Sequence, residues 1–113
     1  MANAYVEFGT RLSPVSAGYQ VGGASQVHFK CSASEVLPIS GTQANGAIVG
    51  AAGKTIARVT TDDTACYLAV GTTPDCTRTT DNSASSARRF VGAGQSIDIA
   101  VLSGWKVSVK AVS

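Results

Sequence analysis

The sequence predicts an all-β protein, a single β-sandwich or jelly-roll-like domain with an extended N-terminal arm, and three observations lead to this class. Val supplies 13 of the 25 Leu, Ile, Val and Phe residues, and β-branched side chains favour pleated strands. Ala, Ser, Thr and Gly together fill 53 positions, as expected for short strands joined by tight turns. No window of about eleven residues shows the 3.6-residue apolar repeat and the caps of a helix.

The length and the charge limit the classes of partner. A chain of 113 residues fits one domain, and a core this small benefits from contact with a partner chain. Nine basic and seven acidic residues leave a net charge of +2 without a basic block, which argues against nucleic-acid binding. No apolar run approaches the ~18 residues of a membrane-spanning helix, and residues 1–10 lack the pattern of a secretory signal. We expect neither nucleic acid nor membrane as a partner.

The first 25 residues are predicted to form an extended arm in front of the sandwich domain, which we place at residues 26–113. Residues 4–8 have the composition of a short strand, but glycines and a proline then recur too often for a regular element. The alternative is a disordered terminus. Apolar side chains along the arm need cover from this domain or from a neighbour, and the candidate interaction residues are Tyr5, Phe8, Leu12, Tyr19 and Val21.

Alternation of apolar and polar residues predicts the first strands of the domain. Residues 26–31 form a half-buried strand whose predicted inward side chains are Val27, Phe29 and Cys31. Residues 34–40 form a further extended piece, and Pro38 places this piece at a sheet edge or ends it. Residues 41–54 are predicted to be a glycine-rich loop.

The second half of the domain shows clearer strands. Residues 55–61 and 64–71 are predicted to pair as a hairpin, with a tight turn at Asp62 and Asp63. A polar loop at 72–87, a short strand at 88–91 and a glycine turn at 92–94 follow. Residues 97–101 and 105–111 alternate as the last two strands. Lys106 and Lys110 lie on the outward face of the last strand, where we expect their charge to protect a sheet edge.

Catalytic patterns are weak throughout the sequence. Residues 50–55 resemble a phosphate-binding loop, but Ile48 stands where the first glycine belongs and a strand follows instead of a helix. His28 is the single histidine and lies on a polar face, so no base with an orienting acid is evident. Asp98 is expected to be exposed or ion-paired. The remaining Asp residues fall in turns or loops: Asp62, Asp63, Asp75 and Asp81. We therefore predict no catalytic residue, no cofactor and no enzymatic activity.

The sequence allows two alternatives for the state of its three cysteines. Together with His28, Cys66 and Cys76 are too few for a structural zinc site, and the acidic loop matches no calcium motif, so no metal is predicted. Cys66 and Cys76 either form a disulfide or, in a reducing cytoplasm, all three thiols are buried and free.

Residues 55–113 carry a family resemblance. The segment Cys66-Tyr67-Leu68-Ala69-Val70-Gly71-Thr72-Thr73-Pro74 ends a predicted hairpin, and a Ser/Ala-rich loop, a strand, a glycine turn and a closing hairpin from Ile97 to Val109 follow. This half of the chain resembles small virion proteins of tailed bacteriophages, of the head-decoration or cement type. The resemblance implies a jelly-roll or sandwich domain, usually trimeric, that clamps neighbouring major capsid subunits.

Two functions follow as expectations. The first is a non-enzymatic structural protein of a phage particle, on the capsid surface of the virion after synthesis in the bacterial host cytoplasm. Its partners are the major capsid protein and its own copies as a homotrimer. The alternative is a tail or fibre module that recognises a bacterial surface component through the loops at 41–54 and 72–87. Neither loop contains an aromatic residue, which argues against a carbohydrate ligand.

Overall fold

The structure, a computed structural model, describes residues 2–12, 28–78 and 88–112, with only the backbone for residues 11, 12 and 28. In this part of the chain there are eight strands: β1 (Asn3–Leu12), β2 (His28–Pro38), β3 (Ala44–Asn45), β4 (Ile56–Thr61), β5 (Cys66–Gly71), β6 (Arg89–Val91), β7 (Ser96–Ala100) and β8 (Lys106–Ala111). Sheet A has the order β2-β1-β4-β7 and sheet B the order β3-β8-β5-β6. All the strand pairs are antiparallel. The predicted all-β sandwich is confirmed, and the jelly-roll connectivity stays a prediction.

The core consists of the inward-facing residues of the two sheets. In β4, half-buried and buried residues alternate, so that Ala57 and Val59 point inward. In β8, Val107 and Val109 do the same, as the sequence predicts. The largest fully buried side chains of this core are Val6, Phe8, Val59, Leu68, Val91, Val107 and Val109. β-Branched side chains at these positions suit a close-packed sheet surface.

β1 is a central strand, which corrects the prediction of an N-terminal arm. It lies between β2 and β4 and pairs with both of them, and the side chains of Val6 and Phe8 are fully buried. The prediction of an extended arm at residues 1–25 is therefore wrong for residues 3–12. Both partner strands lie far from β1 in the sequence, so local breaker spacing gave no sign of them. Residues 13–25 lie outside the described residues.

Gly9 does not end β1 because it occupies a β-bulge. The register shifts between Phe8 and Gly9, so that Phe8 lies opposite Ala33 and Gly9 opposite Cys31. One residue of β2, Ser32, is therefore extra. A Cβ atom on Gly9 would overlap the backbone carbonyl of the neighbouring β2 strand. Only glycine fits such a close approach of two backbones.

The bulge also reverses the faces predicted for the start of β2. One extra residue at Ser32 turns the side chains that precede it to the other side of the sheet. Cys31 is exposed. Phe29 lies under the guanidinium of Arg58, which is 4.4 Å from the ring centroid, on the outer face of sheet A. The predicted inward orientation of Phe29 and Cys31 is wrong, and Val27 lies outside the described residues. Pro38 is the last residue of β2, at the edge of sheet A, as predicted.

The turn at Asp62 connects the two sheets. β4 belongs to sheet A and β5 to sheet B, so the hairpin predicted here is wrong. The Asp62 carboxylate accepts hydrogen bonds from the backbone N–H of Asn3 at 2.7 Å and of Thr64 at 3.1 Å, which fixes the chain as it leaves sheet A. β7 and β8 likewise belong to different sheets, so the closing hairpin is also wrong.

The lysines of β8 do not protect an edge. β8 lies between β3 and β5, so the predicted role of Lys106 and Lys110 at a sheet edge is wrong. The prediction that both lysines point outward is correct, because the alternate residues Val107 and Val109 point inward. Both lysines therefore lie on the outer face of sheet B.

Asp98 is ion-paired, as the sequence predicts. It lies opposite Arg58 in the β4–β7 ladder, and its oxygens accept hydrogen bonds from the Arg58 guanidinium at 2.7 and 3.0 Å. Hydrogen bonding to Arg58 lowers the pKa of Asp98. Because both side chains are partly exposed, the pair contributes no more than about 1 kcal/mol.

Candidate functional site

The residues predicted to contact a partner differ in their burial. Phe8 is fully buried between the sheets, so its prediction as an interaction residue is wrong. Tyr5, three positions away on the opposite face of β1, is 46% exposed. The backbone of Leu12 is the end of β1. Tyr19 and Val21 lie outside the described residues.

Tyr5 belongs to an apolar patch on the outer face of sheet A. It lies opposite Val36 of β2 and Thr60 of β4, and Val36 is 55% exposed. We call Tyr5 and Val36 the sheet A patch. Beside it, the hydroxyl of Thr60 donates to that of Ser96 at 2.9 Å. Both side chains of the patch are uncharged and lie directly opposite each other in the ladder, and exposed apolar patches mark sites of protein interaction.

A second exposed group lies on the outer face of sheet B. We call Tyr67, Arg88, Phe90 and Lys110 the basic–aromatic cluster. Arg89 lies opposite the buried Leu68, on the inward-facing side of β6, and its side chain is exposed at this edge of the sheet. Tyr67 lies opposite Phe90 in the β5–β6 ladder and opposite Lys110 in the β5–β8 ladder. Phe90 is 61% exposed. The sequence predicts a short strand at 88–91 but does not show that Phe90 meets Tyr67, because the two residues are 23 positions apart in the chain.

The two loops flagged by the sequence meet at one groove. The Gln43 side chain joins them: its Nε2 donates to the carbonyl of Pro74 at 3.1 Å, and its Oε1 accepts from the backbone N–H of Cys76 at 2.6 Å. Near these loops is a groove of about 220 Å³, lined by Asn45, Thr72, Thr73, Pro74 and Lys106. An ammonium group, an amide and two hydroxyls suit a polar ligand.

Cys66 and Cys76 lie on opposite faces of sheet B. Cys66 belongs to the inward-facing core. Cys76 lies on the outer side, where the hydroxyl of Ser108 donates to its sulfur at 3.6 Å from a residue that alternates with the inward Val107 and Val109. The disulfide alternative is therefore excluded, and all three thiols are free. The prediction that all three are buried is wrong for Cys31, which is exposed.

We expect thiol labelling to reflect this arrangement. In the native protein an aromatic disulfide reagent should modify Cys31 quickly, while Cys66 and Cys76 should react only after unfolding, because a buried thiol is inaccessible and rarely ionised. The measurement is the number of reactive thiols per chain with and without denaturant. Fast reaction of a second thiol in the native protein would contradict the placement of Cys66 and Cys76.

Alkaline pH should lower the stability of the fold through ionisation of Cys66. Burial raises the pKa of Cys66 from 9.0 to about 11, so folding favours the neutral thiol. Its contribution to stability is complete below pH 9 and is lost as the pH rises from 9 towards 11. The free energy of unfolding should therefore fall over this range, and the fall should be shallower in Cys66→Ala. Equal slopes for the two proteins would refute this role of Cys66.

The phosphate-loop alternative is excluded by the backbone of residues 50–55. The N–H of Gly50 donates to Trp105 and that of Thr55 to Gly9, while Ala51 and Lys54 bond to each other. These amides therefore have partners within the fold and are not free to surround a phosphate. The segment leads into β4, as the sequence predicts.

Comparison with known proteins identified no relative: no family model, no curated protein and no solved structure matches the chain. In residues 2–12, 28–78 and 88–112, no three His, Cys, Asp or Glu side chains are grouped so that they could hold a metal ion. The same residues contain no helix long and apolar enough to cross a membrane. The features with functional meaning are the sheet A patch, the basic–aromatic cluster and the groove.

Proposed function

We propose that this protein is a non-enzymatic structural protein of a phage particle that decorates or cements the capsid by bridging neighbouring major capsid subunits. One observation carries the proposal: exposed apolar side chains lie on the outer faces of both sheets, Tyr5 and Val36 on sheet A and Phe90 on sheet B. A bridging protein needs two contact surfaces that point in different directions. The outer faces of a sandwich provide such surfaces on a rigid support.

The resemblance of residues 55–113 to head-decoration proteins supports the same function. It also suggests that the protein acts as a homotrimer on the capsid surface of the virion, after synthesis in the bacterial host cytoplasm. A trimer forms when one surface of a copy contacts a different surface of the next and the rotation between copies closes the ring.

Binding to capsids tests the proposal. Purified protein should co-sediment with capsids that lack it and should raise the temperature at which they rupture. The double variant Tyr5→Ser, Val36→Ser should bind at least tenfold more weakly, since it removes the sheet A patch. Val49→Ser is the matched control, because Val49 is an exposed valine on a loop, and it should bind normally. No binding of the wild-type protein to capsids would contradict the proposal.

The groove favours a second candidate function, a tail or fibre module that recognises a bacterial surface component. The two loops predicted for recognition do meet there, and Lys106 and Asn45 provide polar contacts. The test is binding to host-cell surfaces by the wild-type protein and by Lys106→Gln. A tenfold loss in the variant, together with no binding to capsids, would select this function over the first.

A further inference from the structure

We propose that the basic–aromatic cluster docks an extended acidic segment of a partner protein, which places an apolar side chain on Phe90 and pairs with the edge of β6. The inference deepens the proposed bridging function and rests on it for the partner, because a bridging protein needs a second contact on sheet B. The chemistry of the segment follows from the cluster itself.

The aromatic part of the cluster is held in place before any partner binds. Phe90 meets Tyr67 edge to face, with the ring centroids 6.3 Å apart and the planes at 69°, which is a favourable aromatic geometry. Phe90 nevertheless remains 61% exposed. An exposed ring that already has a fixed orientation loses little conformational entropy when a partner covers it.

Arg88 is fixed in the same way. Its guanidinium carbon lies 3.7 Å from the centroid of the Tyr67 ring. Stacking occupies the flat face of the guanidinium and leaves N–H groups at its edge, where a carboxylate binds. One of these N–H groups makes a long contact of 3.5 Å with the carbonyl of Cys76. The geometry is that of a prepared carboxylate site.

The charges on this face indicate an acidic partner. Arg88 and Lys110 belong to the cluster, and Lys106 lies further along the same face of β8. In the described part of the chain, a salt bridge joins Arg58 to Asp98 on sheet A, away from these three cations. Asp75, the described carboxylate of the adjoining loop, accepts a hydrogen bond from the backbone of Thr77 at 2.9 Å. An acidic segment would therefore meet a face on which three cations outnumber the nearby described carboxylate.

The edge of β6 favours a peptide over a nucleic acid. β6 is the last strand of sheet B, and in the described part of the chain no strand pairs with its other side. An edge strand of this kind lets an extended peptide add to the sheet as a further strand. A single-stranded nucleic acid could stack on Phe90 but could not form such a ladder.

A synthetic peptide tests the inference directly. The probe is Thr-Glu-Thr-Phe-Thr-Glu-Thr, in which alternation puts Phe and both Glu on one face of the added strand, and the control peptide has Lys in place of each Glu. The acidic peptide should bind at low salt, shift the NMR signals of the amides at residues 89–91, and bind more weakly at high salt, because the ionic contacts are screened. The basic peptide should not bind. Equal binding of both peptides, or of neither, overturns the inference.

Matched variants locate the contact. Arg88→Glu and Phe90→Ser should each weaken peptide binding at least tenfold. Lys30→Glu makes the same kind of charge change at an exposed position on sheet A, and Leu102→Ser removes an apolar side chain that is also 61% exposed. Both controls should bind like the wild-type protein, with unchanged thermal unfolding in all four variants. Equal losses in variants and controls, or stronger binding of a single-stranded oligonucleotide than of the acidic peptide, overturn the inference.

The same proteins distinguish this inference from the proposed function. If the wild-type protein binds the acidic peptide but not capsids, the docking surface stands and the bridging function fails. If the wild-type protein binds capsids and Phe90→Ser binds them more weakly, while the acidic peptide does not bind, the acidic segment fails as the occupant and the bridging function stands.

Discussion

Replacing Phe8 by alanine should destabilise the protein by about 3–5 kcal/mol, the usual cost of removing a buried aromatic side chain. Phe8 is fully buried between the two sheets and lies on a central strand that pairs on both sides. Small domains have total stabilities of about 5–15 kcal/mol. The variant should therefore be close to unfolded at physiological temperature, as measured by urea or thermal unfolding.

Tyr5→Ala is the matched control, because Tyr5 lies on the same strand but points outward. It should cost less than about 1 kcal/mol, the scale of one cross-strand pair. If residues 1–25 formed an arm outside the domain, Phe8→Ala would also unfold almost like the wild-type protein. That result would contradict the placement of β1 as a central strand of the sandwich.

Replacing Gly9 by alanine should cost at least ~2 kcal/mol, the scale of overpacking a rigid site. The added Cβ would overlap the carbonyl of Lys30, and this obstacle is backbone inside a paired ladder rather than a flexible side chain. To relieve the overlap, β1 and β2 must move apart at the bulge. The free energy of unfolding measures the cost, and amide exchange at residues 29–33 should show where the ladder opens.

Gly41→Ala is the control for this substitution. A Cβ at Gly41 has nothing within 4 Å, so the change should be neutral or stabilise slightly through the unfolded chain. Similar effects at Gly9 and Gly41 would contradict the close approach of β1 and β2.

Local alternation was sufficient to predict much of the second half of the fold. The strands around Val59, Leu68, Val91 and Val107 were all recognisable, because each has apolar residues at every second position. Asp98 was also placed correctly, since a charged residue between two inward isoleucines has to face outward. Pro38 ended its strand because it cannot donate to a ladder.

Long-range pairing was not predictable from the same pattern. Nothing near Asp62 shows that the chain changes sheets there instead of turning back on itself. The bulge at Gly9 depends on a register that only the folded sheet defines, and it reversed Phe29 and Cys31. β1 was missed for the same reason, because its partners in β2 and β4 are distant in sequence.

The candidate site was predictable in part. The sequence marked both loops of the groove, but it did not show that Gln43 joins them. It marked Tyr5 but not Val36, which becomes its neighbour only through the β1–β2 register. It indicated a short strand at 88–91, whereas the stacking of Arg88 on Tyr67 arises from the pairing of β5 with β6.

Imaging an intact particle by electron cryo-microscopy tests the bridging function most directly. The account predicts this chain on the capsid surface, with the sheet A patch in contact with one neighbouring subunit and the face that carries Phe90 in contact with another. A single ring of copies at the end of the tail, or copies on the head held through one face only, would contradict it.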